Sequence, residues 1–138
     1  MPKLDKAVVE ARLATYARAL NTFNTALETK KDNEKLYLDA SAHRFMYCYE
    51  MTWKLLRRFL RARDIDVNSP VMTFREAFAE NWIEDQKTFE QMITDRNIVT
   101  HEYFEDKAEE IYTRLPHYLQ TMRKVHSTLE KLCQSEMI

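Results

Sequence analysis

Apolar residues return along most of this chain at spacings of two to four, close to the period of a helix with one face turned inward. From Leu4 to about Thr29 the stripe comprises Leu4, Val8, Ala11, Leu13, Tyr16, Leu20, Phe23 and Leu27. The polar run Thr29-Lys30-Lys31-Asp32-Asn33-Glu34 interrupts it and offers Asp32 or Asn33 as a cap for the next segment. A second helix is expected from about Glu34 to Arg63, roughly 45 Å long at 1.5 Å per residue. Its inner face carries Leu38, Ala42, Phe45, Tyr49, Trp53, Leu56 and Leu60. Met46, Trp53, Leu55 and Phe59 widen that face beyond what one neighbouring helix covers. A dimer interface and burial among several helices of the same chain explain the extra width equally well.

Ser69-Pro70 marks a third helix start, with Ser as N-cap and Pro at the first helical position, and the helix runs through Glu80. Asn81 tolerates the left-handed conformation that ends a helix. Glu84-Asp85 then places negative charge at the start of a fourth helix over residues 84–95. Asp95, Asn97, Ile98, Val99 and Thr100 are middling helix formers, so a short break is expected near Val99. A long last helix reaches Cys133 on the stripe Tyr103, Ala108, Ile111, Leu115, Leu119, Met122, Val125, Leu129 and Leu132. Pro116 removes the bond to the Tyr112 carbonyl and is expected to kink it. The pattern predicts one all-α domain over residues 1–138, an up-and-down bundle of four to five helices.

Composition supports this picture and narrows the chemistry. A chain of 138 residues with no Gly and three Pro lacks the material for hairpins, phosphate loops and dinucleotide fingerprints. The formal net charge of −1 excludes a general nucleic-acid footprint, so any anion site must be local. Cys48 and Cys133 lie far apart inside helical patterns, as reduced thiols do. Neither the N-terminal stretch nor any later one reads as a signal peptide or membrane span, so a cytoplasmic location without membrane contact is expected.

Glu-x-x-His pairs of the kind that build di-iron sites in bundles are absent, and no metal or other cofactor is implied. His43, His117 and His126 stand among ordinary helix-surface residues and read as structural or exposed. Lys54, Arg57, Arg58, Arg61 and Arg63 cluster at the end of the second helix, where cations complement the dipole. The same cluster, with Trp53 or Phe59 for stacking, also suits a phosphate-contacting surface.

The segment Arg96-Asn97-Ile98-Val99-Thr100-His101-Glu102-Tyr103 gathers a fixed cation, a carboxamide, an imidazole and a phenol. His can take a proton from a 2′-OH while Arg stabilises charge on a phosphorane, without a metal. On one continuous helix Arg96 and His101 would point about 140° apart, so the chain must turn near Val99 or a second protomer must complete the site. Spacing alone does not separate this from a helix-end arginine beside a solvated histidine.

The run RNIVTHEY resembles the Arg-x4-His-x-Tyr motif of HEPN (higher eukaryotes and prokaryotes nucleotide-binding) proteins, in the branch named nucleotidyltransferase substrate-binding proteins. Residues 43–56, HRFMYCYEMTWKLL, are similar to that family's Arg-Phe, Tyr-Glu and Trp-Lys helix, and Ser69-Pro70 with Arg75-Glu76-Ala77-Phe78 to its next element. The likeness covers about residues 36–125. It implies a homodimeric helical bundle, the toxin of a pair whose antitoxin is a minimal nucleotidyltransferase. The implied activity is metal-independent cleavage of an RNA substrate by Arg96 and His101, with Asn97 as polar helper, silenced by AMP transfer to Tyr103. Glu50 matches an acid that orients or balances Arg96, while Lys54 and Arg57, from the basic cluster at the end of the second helix, are candidate nucleotide contacts. An alternative is a non-catalytic subunit that holds a nucleotide or other substrate for the nucleotidyltransferase. Asp64 and Asn81 stand where relatives often carry Gly, and both tolerate the same backbone.

Overall fold

The computed structural model describes residues 4–101 and 104–135, and among these every regular element is a helix. The helices are α1 (Lys6–Leu27), α2 (Leu36–Arg61), α3 (Pro70–Ala79), α4 (Gln86–Val99) and α5 (Phe104–Gln134). The long helices α1, α2 and α5 pack against one another, α3 packs on α2 and α4, and α4 packs on α2 and α5. Aromatic side chains tie these layers together. Phe45 of α2 stacks on Tyr118 of α5 at 5.4 Å and tilts against Phe23 of α1 at 6.4 Å. Phe74 of α3 lies 4.8 Å from Phe89 of α4 and 6.0 Å from Tyr49 of α2. No helix among the described residues is long and apolar enough to cross a membrane.

Two details of the inner faces differ from the sequence pattern. In α1 the buried line is Val9, Leu13, Tyr16, Leu20 and Phe23, while Val8 and Ala11 face outward. At 100° per residue those five lie within about 40° of Val9, whereas Val8 is about 100° and Ala11 about 160° away. In α2 the extra apolar width is absorbed by the chain itself: Trp53, Leu55 and Phe59 are buried, and only Met46 is left half-covered.

A chain without Gly still needs left-handed residues, and it uses Lys35, Asp64 and Asn81. At Asp64 the N–H bonds the Arg61 carbonyl and Ile65 N–H bonds that of Leu60. Asn81 repeats the arrangement, with bonds to Phe78 and from Trp82 to Ala77. Both are Schellman endings, and Asp and Asn enter them at less cost than other side chains. Asp32 caps α2 from four residues upstream by accepting from Leu36 N–H at 3.2 Å and Tyr37 N–H at 3.3 Å.

The fourth helix starts two residues later than predicted and ends four residues further on, at Val99. Tertiary contacts override the weak propensity of residues 95–99, because Asp95 is fully buried and tied to α5. The break then falls at Thr100 and His101, where it was expected. Pro116 is exposed within α5, which runs on through it to Gln134.

Asp85 caps α4, accepting from the Thr88 N–H at 3.2 Å and the Thr88 hydroxyl at 2.6 Å. These bonds to Thr88 hold its carboxyl below the usual carboxylate range. A depressed folded-state pKa adds stability above the unfolded value of about 3.9, and the contribution disappears as pH falls through the folded value. The gap in denaturation midpoint between the wild type and Asp85→Ala should be constant above about pH 5 and shrink toward pH 2. A pH-independent gap would show that the cap does not depend on the carboxylate charge.

Candidate functional site

Consecutive side chains of α4 point about 100° apart, so the helix can anchor itself with one residue and present the next. Asp95 is the anchor. It accepts from Arg114 Nε and Nη2, both at 2.8 Å, from the Tyr118 hydroxyl at 2.6 Å and from Gln91 Nε2 at 3.3 Å. Arg96, next in sequence, reaches toward α2 instead.

The Arg96 guanidinium is loosely held. Its Nη2 donates to Glu50 Oε1 at 3.4 Å and its Nη1 to Asn97 Oδ1 at 3.5 Å, both at the long end of the hydrogen-bond range. Its Nε is buried without a hydrogen-bond partner. The Arg96 and Glu50 side chains are 35% and 33% exposed, so their ion pair is not sealed in the core. Glu50 is engaged further by Trp53 Nε1 at 3.0 Å and Lys54 Nζ at 3.8 Å. Next to this pair, burial pushes the pKa of the Tyr49 phenol up to about 12 even though Arg96 pulls the other way.

Two hollows meet at Glu50 and Tyr47. The first, of about 570 Å³, lies between α2, the end of α4 and the start of α5, and includes His43, Arg96 and Phe104 in its wall. The second, a groove of about 800 Å³ between α1 and α2, is walled by Arg12, Lys54, Arg57, Arg58 and Arg61, with Asp5 at its edge. The Arg57 guanidinium sits 4.9 Å from the Trp53 ring centre, a cation–π contact that fixes its direction. Arg58 has its pKa lowered by partial burial and then by Arg12, Arg57 and Arg61, the mark of crowded positive charge.

Of the sequence-predicted residues, Glu50, Lys54, Arg57 and Arg96 fall on this one surface, and Asn97 lines neither hollow but touches Arg96. His101 does not line either hollow; it is exposed just beyond α4, with its N–H on the Ile98 carbonyl at 3.0 Å. Tyr103 lies outside the described residues. Sequence reasoning missed Arg12, Tyr47, His43 and the Asp95–Arg114–Tyr118 anchor. Tyr47 and His43 carried a faint signal: Asp39, His43, Tyr47, Glu50 and Lys54 recur at three and four along one face of α2. Both thiols are buried and have raised pKa values, Cys48 up to about 12 through desolvation. Among the described residues no three His, Cys, Asp or Glu side chains gather as metal ligands.

The chain is similar to a Thermus thermophilus protein of known crystal structure, with 30% identity and a TM-score of 0.74. That match covers 83% of this chain and 98% of the other. No curated protein matches. The family model described as nucleotidyltransferase substrate binding protein like matches residues 11–131, which takes in all of α2, α3 and α4 and most of α1 and α5. The chain therefore belongs to the nucleotidyltransferase substrate binding protein-like family.

Proposed function

We propose that this chain is the nucleotide-binding, non-catalytic subunit of a two-component nucleotidyltransferase. The observation that carries this reading is the Arg96 guanidinium, 35% exposed and held by Nη contacts of only 3.4 and 3.5 Å at the wall of a hollow of about 570 Å³. That volume suits a small ligand, and a guanidinium with spare donors suits a phosphate. Arg96 clamps the phosphate nearest the base, Tyr103 contacts the base, and Lys54 and Arg57 meet further phosphates along the adjoining groove. The family description supports a nucleotidyltransferase partner.

Calorimetric titration tests the reading. AMP should bind saturably at one site per chain, and ATP more tightly. The double variant Arg57→Glu, Arg58→Glu should lose at least about tenfold in ATP affinity and much less in AMP affinity. Equal losses for the two nucleotides, or no saturable heat, would remove the groove or the cavity from the proposal.

A second reading, a homodimeric HEPN-type RNase toxin, rests on the motif chemistry of Arg96 and His101. Thr100 stays αR and the His101 N–H bonds the Ile98 carbonyl, so His101 of one protomer would have to meet Arg96 of another. His101 would take the 2′-OH proton, the 2′ oxygen would bond to phosphorus as the 5′ oxygen leaves with a proton taken from water, and Arg96 would stabilise the phosphorane. The products are a 2′,3′-cyclic phosphate and a 5′-hydroxyl end. AMP transfer to Tyr103 by a minimal nucleotidyltransferase antitoxin would then silence it. RNA cut in EDTA by the wild type, and spared by His101→Ala and Arg96→Ala, would favour this reading over simple binding.

A further inference from the structure

The imidazole that shares a cavity with Arg96 within one chain is that of His43, not His101. His43 is exposed on α2, one turn from both Asp39 and Tyr47 and two turns from Glu50. The charged and titratable groups of the cavity wall are Asp39, His43, Tyr47 and Glu50 from α2 and Arg96 from α4. Val99 closes the α4 side, and Phe104 forms the wall at the start of α5. Glu50 is occupied by Arg96, Trp53 and Lys54. A phosphate entering here thus meets two carboxylates that repel it and two nitrogen-bearing side chains that can donate to it, Arg96 and His43. They stand on different helices, His43 on α2 and Arg96 on α4, in the wall of the same hollow.

We infer that His43 is a ligand-contacting residue: its ring N–H donates to one oxygen of a nucleoside monophosphate while Arg96 holds another. The inference rests on the nucleotide-binding reading and names the second donor that reading needs. It also assigns the carboxylate of the wall that Arg96 does not engage: Asp39 is the acceptor for a ribose hydroxyl, the role acidic side chains take in other nucleotide sites.

The test is an AMP titration of the full chain followed by the ring ¹H–¹³C resonances of its four histidines, with His43→Gln used for assignment. Calorimetry runs alongside on His43→Ala, His43→Gln, Arg96→Ala and, as a control away from the cavity, His117→Gln. The His43 resonance should shift and saturate at the calorimetric Kd. His43→Ala should weaken AMP binding at least about tenfold, the scale of a charge-assisted hydrogen bond. His43→Gln, which keeps an N–H donor in reach, should stay within about threefold of wild type and His117→Gln within about twofold. An unmoved His43 signal, a shift at His101 alone, or an unchanged affinity for His43→Ala while Arg96→Ala loses binding would overturn the inference and leave the nucleotide site standing. AMP binding that survives Arg96→Ala, or is absent from the wild type, would overturn both.

Discussion

Replacing Asp95 with alanine is expected to lower the unfolding free energy by about 3 kcal/mol or more, a fall in Tm on the order of 10 °C. The carboxylate is fully buried and accepts from Arg114, Tyr118 and Gln91. Its removal strands a guanidinium that Asp95 holds above its ordinary pKa and a phenol raised first by burial and then by the same carboxylate. Breaking a buried pair costs more than the pair contributes, because the remaining charge keeps its desolvation penalty. The Arg114 side chain is 29% exposed, so water recovers part of that penalty and the expected loss belongs at the low end of the range. Tyr118 is almost wholly buried and adds the cost of an unsatisfied hydroxyl. Urea or guanidinium denaturation with an unchanged m-value measures the loss, and a loss below about 1 kcal/mol would deny the anchor its role. The consequence extends to the site. With the Asp95 end of α4 released from α5, the direction in which Arg96 leaves the helix is no longer fixed, so nucleotide affinity should fall in parallel.

The helices were legible because each carries its own signal: periodic apolar residues, the Ser69-Pro70 start, and Asp64 and Asn81 where a left-handed residue was needed. The inner face of α1 was not. Val8 and Val9 are chemically interchangeable to a pattern that allows spacings of two to four, and only packing within the core selects Val9. The fourth helix was ended too early, at Asp95, for a related reason. An aspartate opening a run of weak helix formers reads as the end of a helix, and its partners Arg114 and Tyr118 are 19 and 23 residues away. Within the candidate site, the Arg96 motif was visible as a local cluster, and resemblance alone linked it to Glu50. His43, set beside its neighbours on α2, reads as an ordinary surface residue. Its significance appears only when α4 brings Arg96 across to the same cavity, which is a fact of tertiary structure and not of spacing.

Arg96→Ala is expected to weaken AMP binding by about 100-fold with little change in stability, and that separation is what makes the variant informative. A guanidinium that meets phosphate with two or more charge-assisted bonds contributes on this scale. Folding should not depend on it. Its contacts to Glu50 and Asn97 are 3.4 and 3.5 Å long, and its buried Nε has no partner to lose. Glu50→Gln supplies the opposite sign. The amide can still accept from Trp53 Nε1, but the negative charge that competes with phosphate for Arg96 is gone, so affinity should rise a few-fold, more at low salt than at high. If Glu50 acts by occupying Arg96, the gain must vanish when both changes are made together, because there is no longer a guanidinium to release. If it acts only by general repulsion of the anion, the gain survives in the double variant. Calorimetry on the four proteins therefore distinguishes a carboxylate that holds Arg96 in reserve for phosphate from one that merely lines the cavity.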